Sequence, residues 1–327
     1  MKIAVLGAGA WGTALAISFA SRHAVTLWAR DPQLSATMRT TRANARYLPG
    51  QQFPDALNID AAMESAAGNA DLIIIGTSTG GLADTARAVA KFDIPVVWLC
   101  KGFDKATGLL PHETIANALP PGLPYGALSG PSFAQEVAKG LPCALTLAAS
   151  DAAFAKSTAE SLNSSTLRIY HHDDLIGVEL GGALKNVMAI AAGLSDGMGL
   201  GMNARAALIT RGLAEIVRLG VAMGGRAETF MGLTGLGDLV LTATGDLSRN
   251  RTVGVELANG KSLDDILASL GHVAEGVNSA ATTLKRARAL NVDMPITEAV
   301  NAVLFDQAPP RDALARLLAR ETKAESR

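Results

Sequence analysis

Only two cysteines, Cys100 and Cys143, occur in the 327-residue sequence. Two thiols cannot build a disulfide framework. They fit a reducing compartment, and both are expected as small buried hydrophobes. Long apolar runs are also missing. Every Ala/Leu/Ile stretch is broken by Gly, Lys, Asp or Arg before the roughly 20 residues that a membrane span needs. The start, Met1-Lys2-Ile3-Ala4-Val5-Leu6-Gly7, lacks the apolar core and cleavage site of a secretory signal. A soluble, cytoplasmic protein is expected. Neither charge is in excess: 29 Lys plus Arg against 30 Asp plus Glu give a formal net charge of -1. Nothing at the level of the whole chain therefore points to nucleic acid or an anionic membrane surface. Of the five histidines only His171 and His172 are close in sequence, and adjacent side chains in extended chain point apart, so no metal site is expected.

What is present is apolar residues in abundance, 49% of the chain, at a length that favours two domains over one core. From residue 1 to about 150, short runs rich in Val, Ile and Leu alternate with helical stretches: Lys2-Leu6, Ala24-Trp28, Asp71-Ile75, Pro95-Leu99, Tyr125-Leu128 and Cys143-Ala149. Runs of that kind read as strands of a mostly parallel sheet covered on both faces, a doubly wound α/β domain. After about Asp173 the strand-like runs give way to long Ala/Leu/Gly segments with helical spacing, beginning at Leu175-Leu194 and punctuated by glycine and proline. The predicted division is therefore a Rossmann-type domain over 1–172 and an all-helical domain over 173–327. The charged tail Glu321-Arg327 is expected to fray.

Gly7-Ala8-Gly9-Ala10-Trp11-Gly12 fits G-x-G-x-x-G, follows a predicted strand and opens a helix. In that context Gly7 permits the tight turn and Gly9 lets backbone approach a pyrophosphate. Gly12 lets helix pack on strand, with the helix N-terminus facing the phosphates. A nicotinamide dinucleotide is the implied cofactor. The second strand ends in Trp28-Ala29-Arg30-Asp31, where NAD-specific domains place an acidic residue against the ribose 2'-hydroxyl. Arg30 comes first here and can neutralise a 2'-phosphate, whereas Asp31 keeps NAD(H) open; an arginine paired to surface carboxylates is the competing reading.

Four further segments carry polar groups that an apolar fold does not need. Lys101 follows the strand ending at Leu99, at the sheet edge that opens onto the ligand crevice, although a solvated lysine explains it as well. Ser129-Gly130-Pro131-Ser132-Phe133-Ala134 again joins a strand end to a helix start, with Ser132 and Gln135 spaced as a capping box or as a ligand-facing turn. In Glu179-Leu180-Gly181-Gly182-Ala183-Leu184-Lys185-Asn186-Val187 the two glycines share a helix face with Lys185. Their cost of roughly 1 kcal/mol each must be offset by close approach of another helix or a nicotinamide ring. A desolvated amine there suits proton exchange with a hydroxyl or carbonyl. Last, Gly235-Leu236-Gly237-Asp238 precedes Ser248-Arg249-Asn250-Arg251, a capped helix start carrying guanidinium groups, fit for a phosphate or simply solvated.

Together these segments, with Glu275-Gly276, resemble the bacterial NAD(P)-dependent glycerol-3-phosphate dehydrogenase family in order and spacing, nearly end to end. The resemblance implies a second domain like the C-terminal domain of 6-phosphogluconate dehydrogenase. It implies reversible hydride transfer between C2 of sn-glycerol 3-phosphate and NAD(P), mainly reducing dihydroxyacetone phosphate for phospholipid synthesis. It also implies that Lys185 is the proton acceptor. Lys101, Gly130, Ser132, Asp238, Ser248, Arg249 and Asn250 are then the substrate shell. Ala10, Trp11, Arg30, Lys101, Ala134, Arg249, Val273 and Glu275 are implied as cofactor contacts. Many relatives have Ser followed by an aromatic where this chain has Ala10-Trp11, which loses one hydroxyl contact at most. Related ketopantoate-type or hydroxy-acid dehydrogenases, and a dinucleotide sensor without chemistry, are the alternatives. Apolar helices in the second domain offer a face for a homodimer.

Overall fold

The computed structural model describes residues 1–270 and 274–318. Gly271, Val273 and the tail Glu321-Arg327 lie outside the described residues. Eight strands form one sheet: β1 (Lys2–Leu6), β2 (Ala24–Trp28), β3 (Asn58–Asp60), β4 (Leu72–Ile75), β5 (Val96–Trp98), β6 (Tyr125–Ser129), β7 (Cys143–Ala149) and β8 (Leu167–His172). Their order is β3-β2-β1-β4-β5-β6-β7-β8, parallel throughout except between β6 and β7. The side-chain alternation of a strand divides β1 between two cores, with Ile3 and Val5 on one face and Ala4 and Leu6 on the other. This is the expected doubly wound domain with two strands more than the apolar runs announce. Both extra strands are at edges. β3 pairs only with β2, and β8 alternates buried Leu167 and Ile169 with exposed Arg168 and Tyr170, so neither reads as an apolar run.

Parallel pairing brings the carboxyl ends of β1, β4 and β5 to one edge of the sheet, and β6, parallel to β5, ends there too. The glycine turn, Lys101 and Gly130 leave from that edge. The remainder of the chain is helical and packs around the helix Leu175–Gly197, buried from Gly177 to Ser195. That helix is long and apolar enough to cross a membrane by length and composition, yet 89% of its most apolar window is buried inside the protein, as a core helix is. Asp174 caps it, accepting from the Gly177 N–H at 2.8 Å, and also receives the Arg226 N–H and the Thr229 hydroxyl.

Glycines set how closely other elements approach this helix. A Cβ at Gly193 would sit 2.0 Å from the Arg251 carbonyl oxygen, and one at Gly181 2.7 Å from that of Thr234. Gly182 faces the Ser129 hydroxyl and the aliphatic stem of Lys101, which a Cβ would meet at 3.0 and 3.3 Å. The bare face beside Lys185 is thus approached closely by protein, backbone on one side and side chains on the other.

Gly193→Ala pits about 1 kcal/mol of helix propensity in favour of alanine against an overlap with backbone that cannot swing aside. Overpacking of this kind costs about 1–3 kcal/mol. A lower Tm in thermal unfolding is the expected outcome, and an unchanged or raised Tm contradicts the packing.

Candidate active site

Asp238 is the hub of the polar groups at the sheet edge. The turn Leu233–Gly237 is a π-helical turn, closed by the Gly237 N–H donating to the Gly232 carbonyl at 3.1 Å, and it delivers Asp238 as the first residue of the helix Asp238–Thr244. The carboxylate is buried, 1% exposed. One oxygen accepts from the Lys185 ammonium at 2.5 Å and the other from the Lys101 ammonium at 2.6 Å. Lys185 also donates to the Thr242 hydroxyl at 2.8 Å, and Lys101 to the Gly130 carbonyl at 3.1 Å. Burial alone would push the Asp238 carboxyl up, but the two ammonium groups hold it below its ordinary value. Burial pushes Lys185 down to about 8, with Asp238 opposing and Lys101 reinforcing the shift. An amine at that value exchanges protons near neutral pH, which an ordinary lysine does not.

Gly130, at φ +135°, presents its carbonyl both to Lys101 and to the Ser132 hydroxyl at 3.1 Å. The expected capping box does not form. Helix Ala134–Ala138 starts one residue later, with Phe133 at its N-cap and no side-chain cap, because the Ser132 hydroxyl turns back to Gly130.

Ser248 does cap the helix Arg249–Ala258, accepting from the Arg251 N–H. That leaves the Arg249 and Asn250 N–H groups without an intrahelical acceptor. The two arginines differ. Arg251 is bound to Asp196 at 2.7 Å and to Asp246 at 3.1 Å, so it braces the fold, whereas Arg249 is exposed. Asn250 ties three elements together, donating to Asn186 at 2.9 Å and accepting from the Gly276 N–H at 3.0 Å. Glu275 opens the helix Glu275–Ala289. Burial raises its carboxyl, and the charges of Arg249, Lys101 and Lys185 oppose that rise.

The dinucleotide motif is built as its spacing requires. A Cβ at Gly7, which has φ +124°, would lie 2.7 Å from the Gly76 backbone, and one at Gly12 2.1 Å from the Gly7 carbonyl oxygen. At Gly9 the nearest atom would be 3.9 Å away, so that glycine is bare for something from outside. The helix Ala10–Phe19 begins with no side-chain cap and no acidic residue, leaving its N–H groups and positive dipole end for an anion. Ala10 and Trp11 of this helix and Ala134 of the helix Ala134–Ala138 pack against one small core of Ala14, Leu48 and Val137. These features fit a dinucleotide pyrophosphate. Arg30 is exposed after β2 and makes no ion pair among the described residues, while Asp31 caps the next helix by accepting from the Gln33 N–H at 2.9 Å. Among the described residues no cluster of His, Cys, Asp and Glu is arranged to hold a metal ion.

Sequence reading missed three contributors. Thr242, one helical turn beyond Asp238, was within reach of the i, i+4 rule. His112 gives its backbone N–H to buried Glu179 at 2.9 Å and pairs its ring with the same carboxylate. Asn44, fully buried, donates to the Ala8 carbonyl in the glycine turn at 2.9 Å and to the Thr13 hydroxyl at 2.8 Å. Their partners are 67 and 36 residues away, and no local pattern announces such pairs.

Two family models match in succession: the N-terminal region of NAD-dependent glycerol-3-phosphate dehydrogenase over residues 2–155, and its C-terminal region over 174–315. The chain belongs to the NAD-dependent glycerol-3-phosphate dehydrogenase family. A glycerol-3-phosphate dehydrogenase [NAD(P)+] of Burkholderia orbicola is 58% identical over 332 residues, covering 99% of this chain and 100% of the relative. That of Janthinobacterium sp. (strain Marseille) is 56% identical over 329 residues and 99% of both chains. The crystal structure of the Coxiella burnetii glycerol-3-phosphate dehydrogenase superposes with a TM-score of 0.93 at 38% identity, over 98% of this chain and 99% of that one. Membership accounts for the helical half as well as the glycine motif, and so sets aside the ketopantoate-type alternative.

Asp238→Asn removes the counter-charge of buried Lys185 and half-buried Lys101. The expected result is a fall in turnover on the order of 10²-fold with cofactor binding, followed by NAD(P)H fluorescence, retained. Equal loss of both would assign Asp238 to the fold alone.

Proposed function

We infer that this chain is an NAD(P)-dependent sn-glycerol-3-phosphate dehydrogenase that mainly reduces dihydroxyacetone phosphate, for glycerophospholipid synthesis. The observation that carries the reading is a buried lysine with a depressed pKa, held by a carboxylate beside a second lysine at the carboxyl edge of a dinucleotide-binding sheet. Residues 1–172 are assigned to the cofactor and 173–327 to the substrate.

Bound nicotinamide supplies hydride transfer at C2 of the substrate. Lys185 takes the C2 hydroxyl proton during oxidation and returns it to the carbonyl oxygen during reduction. Asp238 and Thr242 fix the direction of its amine. Lys101, held by Asp238 and Gly130, adds positive charge where an alkoxide develops. The exposed Arg249, with the free N–H groups at the start of its helix, takes the phosphate. Ser248, Asn250, Gly130 and Ser132 complete the substrate shell. Gly7, Gly9, Ala10, Trp11, Gly12, Ala134 and Glu275 hold the dinucleotide, and Arg30, without a carboxylate partner among the described residues, can neutralise the 2'-phosphate of NADPH while Asp31 keeps NADH open. Two free thiols agree with a cytoplasmic location. A homodimer through the helical half is supported by the exposed Leu200, Met202 and Val221.

Oxidation of NADPH by dihydroxyacetone phosphate, followed at 340 nm, tests the activity; no turnover with either NADPH or NADH overturns it. Lys185→Ala should lower kcat by a factor on the order of 10²–10⁴. Arg249→Ala should instead raise KM for the phosphorylated substrate about tenfold or more. The sign of the pH dependence follows from Lys185 at about 8. Below that value the ammonium can donate and reduction is at its plateau; above it the amine can accept, so oxidation gains while reduction declines. Profiles of kcat/KM without opposite trends across this value contradict the assignment.

A further inference from the structure

Four arginines lie between the end of β2 and residue 46, and they are not equivalent. Arg39 donates to the Ile59 carbonyl at 3.0 Å and lies 3.5 Å from Asp60, bracing β3. Arg42 donates to the Pro54 and Leu57 carbonyls at 2.6 and 2.9 Å, closing the loop that precedes β3. Arg30 has no ion-pair partner among the described residues. Arg46 has one, Asp31 Oδ2 at 3.4 Å, with 60% of the Arg46 side chain and 44% of the Asp31 side chain exposed. A pair that open contributes at most about 1 kcal/mol, too little to be the reason for either residue. Asp31 spends its other oxygen on the N–H groups of Gln33 and Leu34 at 2.9 and 3.4 Å, which fixes the carboxylate at the end of β2. Arg46 is therefore held against the residue that, in a Rossmann domain, marks the adenosine ribose.

Its backbone is held just as firmly. Two residues earlier, Asn44 is buried with its amide bonded to the Ala8 carbonyl and the Thr13 hydroxyl. Its own side-chain and main-chain oxygens accept from the N–H groups of Tyr47 and Leu48. The guanidinium also lies over the Tyr47 ring, 5.1 Å from its centre. The segment is thus pinned to the glycine turn itself, and Arg46 projects beside the ribose end of the same site.

We propose that Arg46 is a second specificity-determining cation of the cofactor site, which pairs with the 2'-phosphate of NADP(H) opposite Arg30. This rests on the reading of Arg30 above and extends it to a residue on a different loop. A 2'-phosphate dianion outcompetes the Asp31 carboxylate, whose lone pairs are already shared with two backbone N–H groups, and Arg46 moves from one to the other. A 2'-hydroxyl leaves the Arg46–Asp31 pair as it is.

Isothermal titration with the adenosine fragments 2',5'-ADP and 5'-ADP reads this without turnover. Arg46→Ala should weaken 2',5'-ADP about tenfold, the loss of one charge-assisted hydrogen bond of roughly 1.4 kcal/mol, and leave 5'-ADP unchanged. The side chain is exposed, so Tm should not move. Equal weakening of both fragments, or none, overturns the proposal. If Arg30→Ala abolishes the preference for 2',5'-ADP while Arg46→Ala preserves it, the Arg30 reading stands and the Arg46 proposal falls. Wild-type protein that binds the two fragments equally removes both.

Discussion

One buried carboxylate, Asp238, between two lysines is the interaction on which the rest of the molecule depends. Taking three charges out of water costs several kcal/mol per ion, and removing one member of such a set costs about 3–5 kcal/mol. The arrangement survives because every element that delivers it is held elsewhere. Lys101 leaves the end of β5 with its stem packed on Gly182, Lys185 projects from a helix buried on all sides, and Asp238 follows a π-helical turn packed against Gly181. With one positive charge in excess and little solvent, the cluster favours loss of a proton, and Lys185 is where burial makes that easiest. The same excess suits an alkoxide or a phosphate ester, so stability and chemistry draw on one set of contacts.

The glycines divide between two tasks that their frequency does not separate. Gly7, Gly12, Gly181 and Gly193 are bare because protein backbone already occupies the place of a side chain; at Gly9 a side chain would meet nothing closer than the Gly76 carbonyl oxygen at 3.9 Å. The first group makes the molecule rigid around the long helix and the motif turn, and the second leaves room for a ligand. An uncapped helix start next to Gly9 and a capped one at Ser248 repeat the contrast. At the first no side chain among the described residues caps the leading N–H groups. At the second, Ser248 takes the Arg251 N–H and leaves the two before it.

Much of this was legible in the sequence. Apolar runs of four to seven residues announce the central strands because both faces of those strands are covered, and the glycine motif declares its own turn. The change at Asp173 from short runs to helical spacing falls between the end of β8 at His172 and the start of the long helix at Leu175. Edge strands β3 and β8 escaped notice because one covered face permits polar residues that interrupt the pattern. At Ser132 the spacing of a capping box was present, but a carbonyl turned outward by the positive φ of Gly130 offered the hydroxyl another acceptor. Arg251 and Arg249 are the same residue type two positions apart, and only the fold brings Asp196 to one of them. Pairs such as Asn44–Ala8 and Glu179–His112 join residues whose proximity is a property of the folded chain alone.

The central claim is that burial against Asp238 and Lys101 brings the Lys185 amine into the neutral range before any ligand arrives. Titrating the side-chain amines by nitrogen NMR in protein labelled at lysine, with Lys185→Met to assign the signal, tests it directly. One resonance that titrates near 8 and vanishes in the variant is the expected result. A Lys185 signal that titrates with the ordinary surface lysines contradicts the claim.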